Sequence, residues 1–249
     1  MPRWKAAALH LLISLAVAIC AGSLIFFVWY PRPYFTAAGG NTLTLLIIAV
    51  DVVIGPLLTF SVFKSGKKGL RFDLTVISLL QLAAFCYGMY VIAAARPVFI
   101  VAAIDRFILV AANSLDDADL AAATRPEFRT RSWFGPRLVG AVPPQFGKEA
   151  IDMAISGTRG KDVELFPKYY VPYAQVSGEL LEHSRALSDL APKSARETRL
   201  LQQFRSAHEH DPTEYRSIPL KGRTDAYVMI VTAKTAQPVT TLAIDPWGT

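Results

Sequence analysis

Three apolar stretches, roughly 7–29, 43–63 and 74–95, dominate the first 95 residues and constrain the fold more than any other feature. Each holds about the 20 residues that a helix rising 1.5 Å per residue needs to cross ~30 Å of hydrocarbon. Soluble core helices of that length carry more charge. The composition agrees: 52% of the 249 residues are hydrophobic and only 18% are charged. We therefore expect three transmembrane α-helices in residues 1–95, followed by an α+β domain in 96–249.

The first stretch begins with a basic segment, as a signal peptide would. Its apolar run continues through Leu24-Ile25-Phe26-Phe27-Val28, however, and ends in Trp29-Tyr30, residues suited to an interfacial aromatic belt. An uncleaved anchor is the expectation.

Orientation follows from the loops. Arg3 and Lys5 precede the first span, and Lys64, Lys67, Lys68 and Arg71 lie between the second and third, whereas the first-to-second loop, "YPRPYFTAAGGN", carries only Arg32. The positive-inside rule places the N-terminus and the 64–73 loop in the cytoplasm. Residues 96–249 then lie outside, which in a bacterial inner membrane means the periplasm. The basic loop could also touch anionic lipid headgroups.

The net charge of +6 is mostly this topological signal. Residues 1–95 hold seven basic residues against Asp51 and Asp73, while the remainder is nearly balanced. A nucleic-acid-binding reading loses its support. Cys20 and Cys86 both lie in apolar stretches, so the exported part folds without disulfides. At similar expected depths they could be neighbours, with packing the simpler account.

Asp51 is the anomaly, a carboxylate ~18 Å from the cytoplasmic end of the second span. Such a group is costly in lipid and should face other helices or find a partner. Tyr87, at matching depth on the third span, is the expected donor, with Ser23 as an alternative and Gln81 too shallow. Gly55-Pro56, one turn on, suggests a bent helix that another helix can approach closely. Asp51, Gly55, Pro56 and Tyr87 thus form a candidate intramembrane partner site. Helix–helix glue within this chain is the competing reading, and a proton relay a weaker third.

The exported part reads as α+β. "RPVFIVAAIDRFILVAA" suggests a hairpin around Asp105-Arg106. Ser114 with Asp117 resembles a capping box for a helix through Ala123. "GKEAIDMAISG" suits a short helix, and "KSARETRLLQQFRSAHEHD" (193–211) is amphipathic, with Leu200, Leu201, Phe204 and Ala207 on one side. Two strands are expected around Ala236-Gln237-Pro238. "LFPKYYVPYAQV" reads as irregular, and Tyr169, Tyr170 and Tyr173 in it could be a periplasmic contact surface or core. "HEHD" (208–211) is a poor metal motif, because residues two apart do not share a helix face. No serine has nucleophile-elbow context and no glycine pair has phosphate-loop context. No catalytic, metal or cofactor site is expected.

The ordered set "RWKAAALHLLISL", "WYPRPYF", "VDVVIGPLLTF", "GKKGLRFDL", "LQLAAFCYGMY" and "ARPVFIVAAIDRF" spans the first 107 residues and resembles the type IV pilin accessory proteins of the TfpX/TfpZ kind. The resemblance implies a non-catalytic inner-membrane protein that binds a type IV pilin subunit and assists its stability, assembly or surface piliation, alongside other pilus assembly components. It carries no established active residues over. The alternative function is a membrane-anchored periplasmic sensing module that acts through a partner.

Overall fold

The computed structural model describes residues 2–41, 45, 49–208, 212–223 and 226–247, with the backbone alone at 49–51, 212 and 226. Helix α1, Arg3–Ser23, continues as a π-helical turn over Leu24–Trp29. A second π turn, Ala49–Ile54, leads into α2, Gly55–Val62. Pro56 lacks the N–H that an α-helical ladder would use, so a break in regular bonding at this point has a local cause. Helix α3 is Leu70–Ala95.

Two helices are long and apolar enough to cross a membrane, Arg3–Trp29 and Leu70–Ala95. Their apolar side chains, among them Leu12, Phe27, Leu79 and Leu80, are exposed. A soluble domain would bury such side chains, so the pair fits a membrane-anchored α+β protein. The expected middle span, 43–63, falls partly outside the described residues. Its described part is a shorter apolar helix, Val52–Val62. Cys20 and Cys86 are exposed, which corrects the packing account.

Strand β1, Pro97–Ala103, starts two residues after α3 and every residue of it is buried. The cause is the apolar run itself, which a strand covered on both faces requires. β1 pairs antiparallel with β2, Arg106–Ala111, and parallel with β3, Arg137–Ala141. The remaining strands are β4 (Tyr170–Pro172), β5 (Arg185–Ala186), β6 (Tyr215–Lys221), β7 (Ala226–Thr232) and β8 (Pro238–Leu242). The sheet order is β4-β3-β1-β2-β6-β7-β8, with β5 beside β6.

Helices and turns cover both faces. On one, Val98, Phe99 and Val101 pack with Leu120 of α4 (Asp117–Ala121), Phe128 and Tyr170. On the other, Ile100, Phe107 and Met229 pack with Leu180 of α6 (Ser177–Glu182). Helix α5, Gly147–Thr158, buries no residue fully. Helix α7, Ala195–Ala207, lays Leu201 and Phe204 against Val228, Ile230 and Leu242. Ser194 caps α7 by accepting from the Glu197 N–H at 3.2 Å, while the Glu197 carboxylate accepts from the Lys193 N–H at 2.6 Å.

Several expectations change. The residue before α4 is Asp116, without a side-chain cap, so Ser114–Asp117 is not a capping box and the helix stops at Ala121. Strand β6, in the middle of the sheet, has no counterpart in the sequence reading. The supposedly irregular 165–176 segment contains β4 between 3-10 turns.

The stretch 30–41 joins the helices to the sheet domain. The Thr241 hydroxyl donates to the Pro33 carbonyl at 2.7 Å, and the Tyr227 hydroxyl to that of Thr36 at 3.3 Å. The Arg223 N–H donates to the Ala37 carbonyl at 2.9 Å. Ala37 itself is buried against the sheet among Ile100, Phe107 and Leu220.

Candidate functional site

Arg3, Lys5, Lys64, Lys67, Lys68 and Arg71 gather at the end of the helices remote from the sheet. Arg3 stacks over the Phe60 ring at 4.9 Å, so the start of α1 meets the end of α2. Lys64, Lys68 and Arg71 are exposed there, and Lys67 pairs with Asp73 at 2.6 Å.

Between the helices runs a seam of polar side chains. His10 Nδ1 lies 2.5 Å from the Thr59 hydroxyl, joining α1 to α2, and Ser14 and Thr59 are both buried. Gly55 is buried where α2 meets α3, and a Cβ there would stand 1.8 Å from Gln81 Nε2. Gln81 Oε1 is buried without a hydrogen-bond partner among the described residues. Gly55 therefore admits this chain's own α3, not an open groove, which corrects that part of the expected site. Pro56 follows at the first turn of α2. Tyr87 is 69% exposed and so points away from the helix packing, against its expected role as an inward donor. The Asp51 side chain lies outside the described residues.

The sequence reading passed over His10 and Thr59. The signal was available: an ionisable ring within an apolar span is itself a candidate for function or helix pairing.

The tyrosine group resolves differently from a contact surface. Tyr170 and Tyr173 are core residues, their hydroxyls donating to the carbonyls of Glu164 and Ala236. Only Tyr169 stays partly exposed, 3.4 Å from a Glu149 carboxylate oxygen.

A different surface is exposed and apolar. Because β3 runs parallel to β1, the segment after β3 lies at the same end as the β1–β2 turn, remote from α3. Ile104 in that turn is 57% exposed, Val142 46% and Phe146 87%. Ile151 and Ile155 of α5 are also exposed. Ile104, Val142 and Pro143 border a pocket of about 200 Å³ floored by Ala102, Val176 and Leu180. Ile104 holds φ = 58°, a left-handed conformation that a β-branched residue adopts only under strain. Next to it, Asp105 takes two hydrogen bonds from Arg106, at 2.7 and 3.1 Å, which hold its carboxyl below the usual carboxylate range.

Among the described residues no group of three or more His, Cys, Asp or Glu is placed to hold a metal ion. His210 and its neighbours 209 and 211 in "HEHD" lie outside the described residues.

The model of the family described as fimbrial assembly protein FimB matches residues 1–39. The chain is 37% identical over 190 residues to the serogroup I fimbrial assembly protein of Dichelobacter nodosus, an alignment covering 75% of this chain and 72% of that one. The serogroup E1 protein of the same organism is 37% identical over 193 residues, with the same coverage. The protein of serogroups C1 and C2 is 46% identical over 104 residues, 41% of this chain and 79% of that one. No solved structure matches. The extent of these alignments agrees with the resemblance carried by the helical segments, and the chain belongs to the fimbrial assembly protein family, a type IV pilus assembly accessory family.

Proposed function

We propose that this protein is a non-catalytic inner-membrane accessory factor that binds the type IV pilin subunit before or during assembly. Three spans hold it, with the N-terminus and the 64–73 loop cytoplasmic and the sheet domain periplasmic. The family and the basic end of the helices support this reading. The observation that carries the binding role is the strained, exposed Ile104 at the tip of the domain, bordered by Val142 and Phe146. Backbone strain that exposes an apolar side chain works against the fold's own stability and is typical of a contact residue. The contacts of the 30–41 stretch with the sheet join helices and domain, so one molecule can meet both the subunit's head, at this tip, and its membrane helix, near Asp51.

In-cell photocrosslinking from position 104 and, separately, from position 51 tests the proposal. Pilin captured from position 104 is the expected result, and capture from position 51 would add the membrane half. Silence from both positions in a stably expressed protein would overturn pilin binding.

A further inference from the structure

The segment preceding β3 lies at the opposite end of the sheet from the tip. Arg137 opens β3 and pairs in register with Phe99, two residues into the buried run that follows α3. The turn just before it, Ser132-Trp133-Phe134-Gly135, is thereby carried back to the ends of the long helices. Trp133 lies 6.3 Å from Trp29, the last residue of the first candidate span. A Cβ on Gly135, whose φ is +76°, would come within 3.0 Å of the Pro31 ring and 3.7 Å of the Val28 carbonyl. Arg96 locks the arrangement: its guanidinium sits 3.8 Å over the Trp133 ring, its Nε donates to the Ser132 carbonyl at 3.1 Å, and Nη1 donates to that of Ala93 in the last turn of α3.

Held in this way, the turn leaves its aromatic surface uncovered. Phe134 is 88% exposed and Trp133 55%. Two such rings in water would cost free energy in proportion to their apolar area. Beside them opens a pocket of about 640 Å³ lined by Arg96, Arg129 and Arg131, with Asp117, bound to Arg131 at 2.5 Å, as its one carboxylate. A tryptophan and a phenylalanine next to arginines, level with the end of a spanning helix, match the chemistry of the bilayer interface. There the rings meet acyl chain and glycerol, and the exposed Arg129, whose Nε alone donates to the Ala123 carbonyl, can meet phosphate, while Arg96 and Arg131 are held by carbonyls of the protein.

We propose that the Trp133-Phe134 turn enters the interfacial layer of the membrane beside Trp29, as a second membrane contact separate from the spanning helices. The inference rests on the membrane-anchored reading. It gives the sheet domain a fixed height and tilt above the bilayer, because the turn stands in front of β3 while α3 leads directly into the neighbouring β1.

Spin-label depth measurement on the full chain in nanodiscs of phosphatidylethanolamine and phosphatidylglycerol tests it. Cys20 and Cys86 are first changed to Ala, and single cysteines are placed by Phe27→Cys, Phe134→Cys and Phe146→Cys, all at exposed side chains. The expected result is that oxygen relaxes the labels at 27 and 134 several-fold more than a water-soluble nickel complex does, with the reverse at 146. If 134 reads like 146 while 27 reads lipid, the membrane contact is overturned and the turn is left for a protein partner. If 27 itself reads water, the membrane reading and this inference fall together.

Discussion

The Tyr30 hydroxyl donates to the Ile92 carbonyl at 3.0 Å, tying the residue after the π-helical turn of the first helix to the last turn of α3. Ile92 is among the final four residues of α3, whose carbonyls lack α-helical donors within the helix. The ring is completely buried among Ile25, Ala38 and Ile92, with Phe35 against it. Tyr30→Phe keeps the ring and removes only the donor, leaving a buried carbonyl unpaired. The expected cost is about 1–2 kcal/mol of stability, measured by denaturant unfolding of the full chain in detergent.

Gly55 and Gln81 should behave as one unit. Gly55→Ala drives a methyl group into the Gln81 amide, which is the mobile end of a flexible side chain. The single variant should lower the thermal midpoint, and adding Gln81→Ala should restore most of the loss. A double-mutant cycle is expected to give a coupling of about 0.5–3 kcal/mol, the range for residues in contact. Simple additivity would mean that the helices do not meet at this point.

Ile104→Gly should separate stability from function. Glycine adopts φ near +58° without the clash that a Cβ suffers, so the domain should gain about 1 kcal/mol. The same change removes the apolar side chain from the tip, and pilin capture and surface piliation should fall. Chemical denaturation checks the first outcome, and counting surface pili on cells with matched protein levels checks the second.

The junction should be alkali-sensitive. Burial pushes the Tyr30 and Tyr34 hydroxyls up to about 12 from an ordinary value near 10. The fold therefore favours their neutral forms. That contribution is fully present below pH ~10 and is lost as pH rises through 10 towards 12. Unfolding curves between pH 9 and 11.5 should show stability falling, and Tyr34→Phe should make the fall shallower. The slope will not vanish, because burial also raises Tyr170 and Tyr173.

Much of the architecture was legible one stretch at a time, and the reasons are local. Apolar length marks α1 and α3 as helices long enough to cross a membrane, since no partner is needed to reach about 20 uncharged residues. The run "RPVFIVAAIDRFILVAA" announces the β1–β2 hairpin, and "KSARETRLLQQFRSAHEHD" the amphipathic face of α7. What local pattern could not reach were relationships across the chain. Gly55 signals close approach in either setting, yet only packing shows that Gln81 of this same chain occupies the space. Tyr170 and Tyr173 look the same in sequence whether they serve a surface or a core, and the pairing of β4 with β3, which sets Tyr170 against Phe99 and Tyr173 against Phe107, decides which. The parallel pairing of β3 with β1 sends Phe134 to one end of the sheet and Phe146 to the other, though only eleven residues separate the two. The sequence by itself determined helices long and apolar enough to cross a membrane and an α+β domain, because apolar length and helix or strand period are properties of short segments. Only the tertiary structure decided which exposed aromatics face the membrane end and which the tip, because that depends on strand direction, which no short segment encodes.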